Sequence, residues 1–267
     1  MTFNEPGRAL IPATFTTNLH AVRPLLLFGA RSFRAYYPWQ LLFTTILPRQ
    51  FVLCVFLTSI GVISGGPENQ AFAFMGATIF AQTIVMINVA DILIDDREHA
   101  THDALNTAIP SSASILAARL APYPLFALSC SLAALAAGPF LGQGDHLLEF
   151  LKCAPVYLAS GISITTAGAA FAMMIRNAEE LVSNAMLWVM ILSGGIIHQS
   201  AVAWLEPLNL ILPGKHAVAA LQYHLAGKSM MPGILGEITV AGFWFLVACV
   251  FTWIRSQYAR KWGSTSA

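Results

Sequence analysis

The chain has 267 residues, of which 57% are hydrophobic and only 10% are charged. Soluble domains carry about 25% charged residues, so this composition excludes an ordinary soluble protein and indicates an integral membrane protein. The net charge of +1 gives no sign of a nucleic-acid partner, and we expect none. The four cysteines stand singly in apolar surroundings, which predicts packing roles and no metal site.

The N-terminal region predicts a tail followed by an amphipathic helix over residues 24–37. Its basic and apolar side chains fall on opposite sides of a helical wheel: Arg23, Arg31 and Arg34 on one, Leu25, Leu26, Phe33 and Tyr36 on the other. Such a helix is typical of the headgroup region of a membrane, and the simpler reading is a charged lead-in to the first span.

Six apolar segments are long enough to cross a hydrocarbon core of about 30 Å. They cover residues 41–64, 71–94, 114–141, 151–175, 181–197 and 234–254. Residues 200–233 are too polar and too often broken by Pro and Gly to span, which predicts short external helices there. The prediction is one all-α transmembrane domain over residues 1–267, with a tail and interfacial helix in 1–40, the bundle in 41–254 and a second tail in 255–267.

With six spans, both termini lie on one side of the membrane, and so does most of the positive charge. That side carries ten of the fourteen Lys and Arg residues: Arg8, Arg23, Arg31, Arg34, Arg97, Arg119, Arg176, Arg255, Arg260 and Lys261. The positive-inside rule therefore predicts cytoplasmic termini and a multi-pass protein of the plasma membrane.

The polar stretch of residues 95–110 also lies on the predicted cytoplasmic side. Its apolar residues recur at helical spacing: Ala100, Ala104, Leu105, Ala108 and Ile109. This pattern predicts a short amphipathic surface helix that ends at Pro110, although a solvated connecting loop would also fit.

Two readings of function need only this chain. Asn88, Asp91 and Asp95 form an NxxDxxxD cluster that resembles the metal-diphosphate motif of UbiA-type membrane prenyltransferases. Those enzymes need a second Asp-rich cluster, and the later loops offer only Glu179 and Glu180. A secondary transporter that works without a partner is the other alternative.

Three segments carry short motifs in a fixed order along the chain: residues 96–111, 190–200 and 213–223. Together they resemble the ABC type-2 export permeases. Residues 96–111, DREHATHDALNTAIPS, are similar to the Arg-Glu-x-Gly-Thr segment that follows the second span in that family, with Ala100 in place of the usual Gly. Residues 190–200, MILSGGIIHQS, resemble its Leu-Ser-Gly segment in the fifth span. Residues 213–223, PGKHAVAALQY, look like its proline-led external helix.

The resemblance implies a transport subunit that is not itself an enzyme, has no catalytic residue and binds no cofactor. Two separate ATPase subunits, an identical or unlike pair that carries the ATP and Mg²⁺, would dock from the cytoplasm, and a second permease would complete a homodimer or heterodimer in the bilayer. Residues 96–110 would be the coupling helix, with Asp96, Arg97, Glu98, Thr101, Leu105 and Pro110 as its working positions. The cargo would be a hydrophobic or amphiphilic compound, such as a drug, a lipid or a peptide-like molecule, moved out of the cell.

Four residues within the predicted spans are candidates for the substrate pathway or the dimer seam. Arg49 is a charge inside the first apolar segment, where an ionisable group is costly unless it faces a partner, water or the headgroups. Ser193, Gly194 and Gly195 would break the fifth span or let two helices approach closely. Local pairing of Arg49 and plain helix packing at 193–195 are the simpler readings. Glu237 lies close to the external start of the last apolar segment, and we expect it to be solvated.

Overall fold

The computed structural model describes residues 19–98, 112–174 and 207–263. These residues form helices and turns and contain no strand. The helices of six or more residues are α1 (Leu19–Tyr36), α2 (Leu47–Gly65), α3 (Gln70–Phe80), α4 (Thr83–Glu98), α5 (Ser112–Leu120), α6 (Tyr123–Leu135), α7 (Leu147–Lys152), α8 (Ala154–Met174), α9 (Lys215–Leu225) and α10 (Met231–Gly263). A short turn of helix, Trp39–Leu41, and a π-helical segment, Leu42–Ile46, lead directly into α2.

Five helical segments of the described chain are long and apolar enough to cross a membrane. They are Trp39–Gly65, Gln70–Asp96, Ala113–Leu135, Ala154–Met174 and Met231–Arg255. They match the first four predicted spans and the last one, so the all-helical class is confirmed and the five apolar helices support a membrane protein. The predicted fifth span lies outside the described residues, and the count of six stays a prediction.

Two span boundaries differ from the prediction because Pro and Gly interrupt the chain. The third span was predicted to reach residue 141, but α6 ends at Leu135 and a separate 3₁₀ turn, Gly138–Leu141, follows. The fourth span was predicted to begin at 151, but α8 begins at Ala154, after the separate helix α7. Pro155 sits in the first turn of α8, where its missing N–H costs no hydrogen bond.

Two of the spans are also interrupted in the middle. A turn at Ala121–Pro122 separates α5 from α6, as expected where Pro122 and Pro124 cannot continue an α-helical ladder. A second turn at Ala81–Gln82 separates α3 from α4, although the sequence there contains neither Pro nor Gly. The break at Ala81–Gln82 places the side chain of Gln82 in the bundle interior.

Helix α8 occupies the centre of the bundle and packs against α4, α6 and α10. Small residues allow this close approach: a Cβ added at Gly168 would lie 2.5 Å from the carbonyl oxygen of Met86. In the most apolar stretch of the spans Gln70–Asp96 and Ala154–Met174, 78% is buried, against 28% for Trp39–Gly65 and Met231–Arg255. The second and fourth spans are therefore central, and α2 and α10 are peripheral.

The short connections make successive spans run in opposite directions, which gives the bundle two distinct ends. At the α1 end, α1 packs on α5 beside the last turn of α4. At the α9 end, α9 packs on α3, α8 and α10. The predicted helices over 24–37 and 213–223 thus exist as α1 and α9, and their placement relative to a bilayer stays a prediction.

Candidate functional site

A buried ion pair joins three helices at the α1 end. Arg119 of α5 forms an ion pair with Asp96 of α4 and also donates a hydrogen bond to the Ser32 hydroxyl of α1. The side chains of Asp96 and Arg119 are 8% and 9% exposed, so both charges are largely removed from solvent. The Arg119 guanidinium carbon lies 5.1 Å from the centroid of the Phe28 ring. One side chain thus connects α1, α4 and α5.

A second contact between α1 and α4 lies beside this ion pair. The Tyr36 hydroxyl donates a 2.8 Å hydrogen bond to Oδ2 of Asp95. Partial burial, and then the hydrogen bond to this carboxylate, raise the pKa of the Tyr36 phenol above its usual value. The phenol therefore stays protonated and keeps donating across the physiological pH range.

Aromatic packing extends the same junction into the bundle. The Phe33 ring centroid lies 5.3 Å from that of Tyr123 and 5.5 Å from that of Phe126. A Cβ added at Gly29 would lie 2.0 Å from the carbonyl oxygen of Ala118, so only glycine allows α1 to approach α5 this closely. Gly29 and Phe33 of α1 therefore pack against α5 and α6.

These contacts lie beside the polar stretch that the sequence singles out. Residues 99–111 connect the last turn of α4, which contains Asp96, to the start of α5, and Arg119 lies in the last turn of α5. Removing one partner of a buried ion pair leaves an uncompensated charge and costs about 3–5 kcal/mol. Arg119 therefore holds α4 and α5 together through Asp96, and α1 through Ser32, close to the residue where α4 ends.

The predicted coupling residues fall into three groups in the structure. Asp96 is buried against Arg119, so its carboxylate holds α4 and α5 together and does not face the surface. Arg97 and Glu98 are the last two residues of α4. Thr101, Leu105 and Pro110 lie outside the described residues.

Of the predicted pathway and dimer-seam residues, the structure describes Arg49. Arg49 lies in the first turn of α2 and is exposed on the outside of the bundle, and its neighbour Gln50 points inward and is buried. Neither amide atom of Gln50 finds a hydrogen-bond partner there. Ser193, Gly194 and Gly195 lie outside the described residues.

The prenyltransferase motif lies along one helix, α4. Asn88 is half-buried, Asp91 is exposed, and Asp95 accepts the hydrogen bond from Tyr36. In the described part of the chain, no group of three or more His, Cys, Asp and Glu residues is arranged to hold a metal ion.

A polar cluster in the bundle interior was not predicted from the sequence. The Gln82 amide donates to Ser131 Oγ at 2.7 Å and to the carbonyl oxygen of Tyr157 at 3.0 Å. Ser131 in turn donates to the carbonyl oxygen of Thr78 at 2.9 Å. Because Gln82 occupies the break between α3 and α4, its side chain ties the freed backbone region to α6 and α8. The only signal in the sequence is an isolated Gln in an apolar run.

The second buried carboxylate, Glu237 of α10, lies towards the α9 end. The sequence predicts a solvated position near the start of the last span, and this is wrong: Glu237 is 0% exposed. Its Oε1 accepts hydrogen bonds from the backbone N–H groups of Gly214 at 2.7 Å and Ala217 at 3.1 Å. Ser163 of α8 donates to the Glu237 carbonyl oxygen at 2.6 Å. Residues 207–225 fold back over the helix and remove this carboxylate from solvent.

No protein-family model, no curated protein and no solved structure matches this chain. The membrane class therefore rests on the five apolar helices, and the function has to be argued from the residues.

Proposed function

We propose that the chain is the permease subunit of an ATP-driven exporter of the ABC type-2 class. It would move a hydrophobic or amphiphilic compound outward across the plasma membrane, with both termini in the cytoplasm. ATP and Mg²⁺ would be bound by separate ATPase subunits, and a second permease subunit would complete the pathway. The resemblance of residues 96–111, 190–200 and 213–223 to that family supports this proposal.

The observation that carries the proposal is the attachment of α4, α5 and α1 to one another beside residues 99–111. Residues 97–110 can transmit a movement of the ATPase only if they are attached to the helices that must move. Arg119 joins α4, α5 and α1 at that point, and Tyr36 adds a second attachment through Asp95. Motion of an ATPase against residues 97–110 would therefore be passed to two spans and to α1 as a unit.

The roles of the coupling residues follow from their positions. Asp96 would position the base of the segment through Arg119, while Arg97 and Glu98, one or two residues further on, would make charged contacts with the ATPase. ATP binding biases transport only if these contacts differ between the two transport states. Leu105 would anchor the segment to the body of the permease, with Thr101 and Pro110 as its other working positions.

The test is co-purification from native membranes. The full chain, carrying an affinity tag, should retain Mg²⁺-dependent ATPase activity, and exchange of the charges by Arg97→Glu with Glu98→Arg should reduce that activity at least tenfold. The matched control is Glu149→Lys with Lys152→Glu, which exchanges two charges within the short helix α7, at the α9 end of the bundle.

Two results would contradict the proposal. One is substrate export by the purified chain alone in vesicles without nucleotide, which would favour a secondary transporter. The other is Mg²⁺-dependent prenyl transfer that is lost in Asp91→Ala, which would favour the prenyltransferase reading.

A further inference from the structure

We propose that the outer face of α1 binds the phosphate headgroups of acidic phospholipids. Three arginines define this face, which we call the arginine face: Arg23, Arg31 and Arg34. At about 100° per residue, they fall within an arc of about 80° on the side opposite Gly29. All three are exposed, and none forms an ion pair with a described carboxylate.

The opposite face of α1 is already occupied by the bundle. Gly29 contacts the backbone of α5, and Phe33 packs edge-on against Tyr123 and Phe126. Packing against the bundle therefore accounts for Gly29 and Phe33 but not for the three positive charges grouped on the free side of α1. A negatively charged occupant would account for their grouping.

The arginine face lies close to the start of a membrane span. The guanidinium carbon of Arg34 lies 4.2 Å from the centroid of the Trp39 ring, and Trp39 is the first residue of the span Trp39–Gly65. Trp39 is 58% exposed, and an exposed Trp at the end of a span is typical of the headgroup layer. Arg34 is thus at headgroup height, and Arg31 is about one helical turn away.

Exposed apolar side chains on the same helix favour a lipid surface over an acidic protein groove. Leu27 lies between Arg31 and Arg34 on the helical wheel and is 48% exposed, while Leu26 and Phe28 flank the arc and are also exposed. Arginines mixed with exposed leucines match the boundary between phosphates and acyl chains. An acidic protein groove would satisfy the charges and leave these leucines in water.

The experiment uses the purified full chain and needs no ATPase subunit, so its result is independent of the proposed transport function. The chain in neutral detergent is titrated with phosphatidylglycerol or phosphatidylcholine, and lipid retention is measured by native mass spectrometry. We expect preference for phosphatidylglycerol by about fivefold per arginine at low salt, because each basic residue near an acidic surface contributes about 1 kcal/mol. High salt should reduce the preference.

Three sets of variants test whether the lipid preference depends on the positive charge of the arginine face. The Arg23→Gln, Arg31→Gln, Arg34→Gln triple variant should lose the preference, and the corresponding triple Lys variant should keep most of it. The matched control removes three cations at the α9 end, Lys152→Gln, Lys215→Gln and Lys228→Gln, and should bind phosphatidylglycerol like the wild type. Equal retention of the two lipids by the wild type, a preference that survives high salt, or an unchanged preference in the triple Gln variant would overturn the proposal.

Discussion

The two ends of the bundle each bury a carboxylate, and they compensate its charge in different ways. Asp96 faces the guanidinium of Arg119, a full positive charge on a neighbouring helix. Glu237 faces two backbone N–H groups at the start of α9, where the partial positive charge of a helix N-terminus favours an anion. Its other oxygen, Oε2, is buried and has no hydrogen-bond partner. The α1 end is thus fixed by side chains, and the α9 end by the start of a helix.

The largest effect is expected from breaking the ion pair at the α1 end. Arg119→Ala leaves Asp96 buried without its cation and should lower the free energy of unfolding by about 3–5 kcal/mol. The measurement is the thermal or denaturant unfolding of the chain in detergent. Arg49→Ala, at an exposed arginine on α2, is the control and should change stability little.

Removal of both charges tests why Arg119→Ala destabilises. The Asp96→Leu, Arg119→Met double variant should recover most of the lost stability, because an apolar pair of similar volume carries no desolvation cost. If the double variant is as unstable as Arg119→Ala, the loss of stability comes from the missing hydrogen bond between Arg119 and Ser32. The buried charge of Asp96 would then not be its cause.

A smaller loss is expected from truncating the carboxylate at the α9 end. Glu237→Ala leaves the N–H groups of Gly214 and Ala217 without their acceptor, which should cost about 1.5–3 kcal/mol. Glu237→Gln keeps an acceptor oxygen, gives up the charge and should cost less. Unfolding in detergent measures the stability, and limited proteolysis within residues 207–230 reports whether α9 has loosened.

Glu237→Gln tests whether the negative charge of Glu237 is needed at the start of α9 or whether an acceptor oxygen is enough. If Glu237→Gln loses as much stability as Glu237→Ala, the negative charge itself holds the start of α9. If it matches the wild type, one neutral acceptor oxygen is enough.

Replacing the glycines at close helix contacts should lower the stability at both ends of the bundle, by as much as Glu237→Ala or less. A Cβ at Gly29 would meet the Ala118 carbonyl oxygen at 2.0 Å, and one at Gly233 would meet the His216 carbonyl oxygen at 2.6 Å. Gly29→Ala and Gly233→Ala should each destabilise by about 1–3 kcal/mol in the same unfolding measurement, because backbone must shift. A Cβ at Gly242 meets nothing within 4 Å, so Gly242→Ala is the control and should be neutral or slightly stabilising.

Hydrophobic length predicted most of the fold, because a span needs about 20 apolar residues and little else. The amphipathic pattern likewise predicted α1 within a few residues. The break at Ala81–Gln82 was not predictable, since it depends on the side-chain contacts of Gln82 with α6 and α8 and has no local signal.

The sequence did not predict the pairing of charges at either end. Asp96 was singled out for its position in a polar stretch, yet its partner Arg119 follows 23 residues later, on the next span. Glu237 was expected to be solvated because it is near a span end. It is buried because residues 207–225 fold back, and no local pattern around Glu237 encodes that contact.

The smallest effect concerns the second link at the α1 end, between Tyr36 and Asp95. Asp95→Asn removes the carboxylate that helps raise the pKa of the Tyr36 phenol, so this pKa should fall towards its ordinary value of 10. Because the folded-state pKa is raised, the contribution of this contact to stability is fully present below about pH 10 and is lost as the pH rises through the folded-state value. The measurement is an ultraviolet titration of phenol ionisation, with Tyr36→Phe identifying the residue. An unchanged pKa in Asp95→Asn would show that the carboxylate of Asp95 does not help to set it, and Arg119 would then be the stronger of the two polar links from α1 that the described residues show.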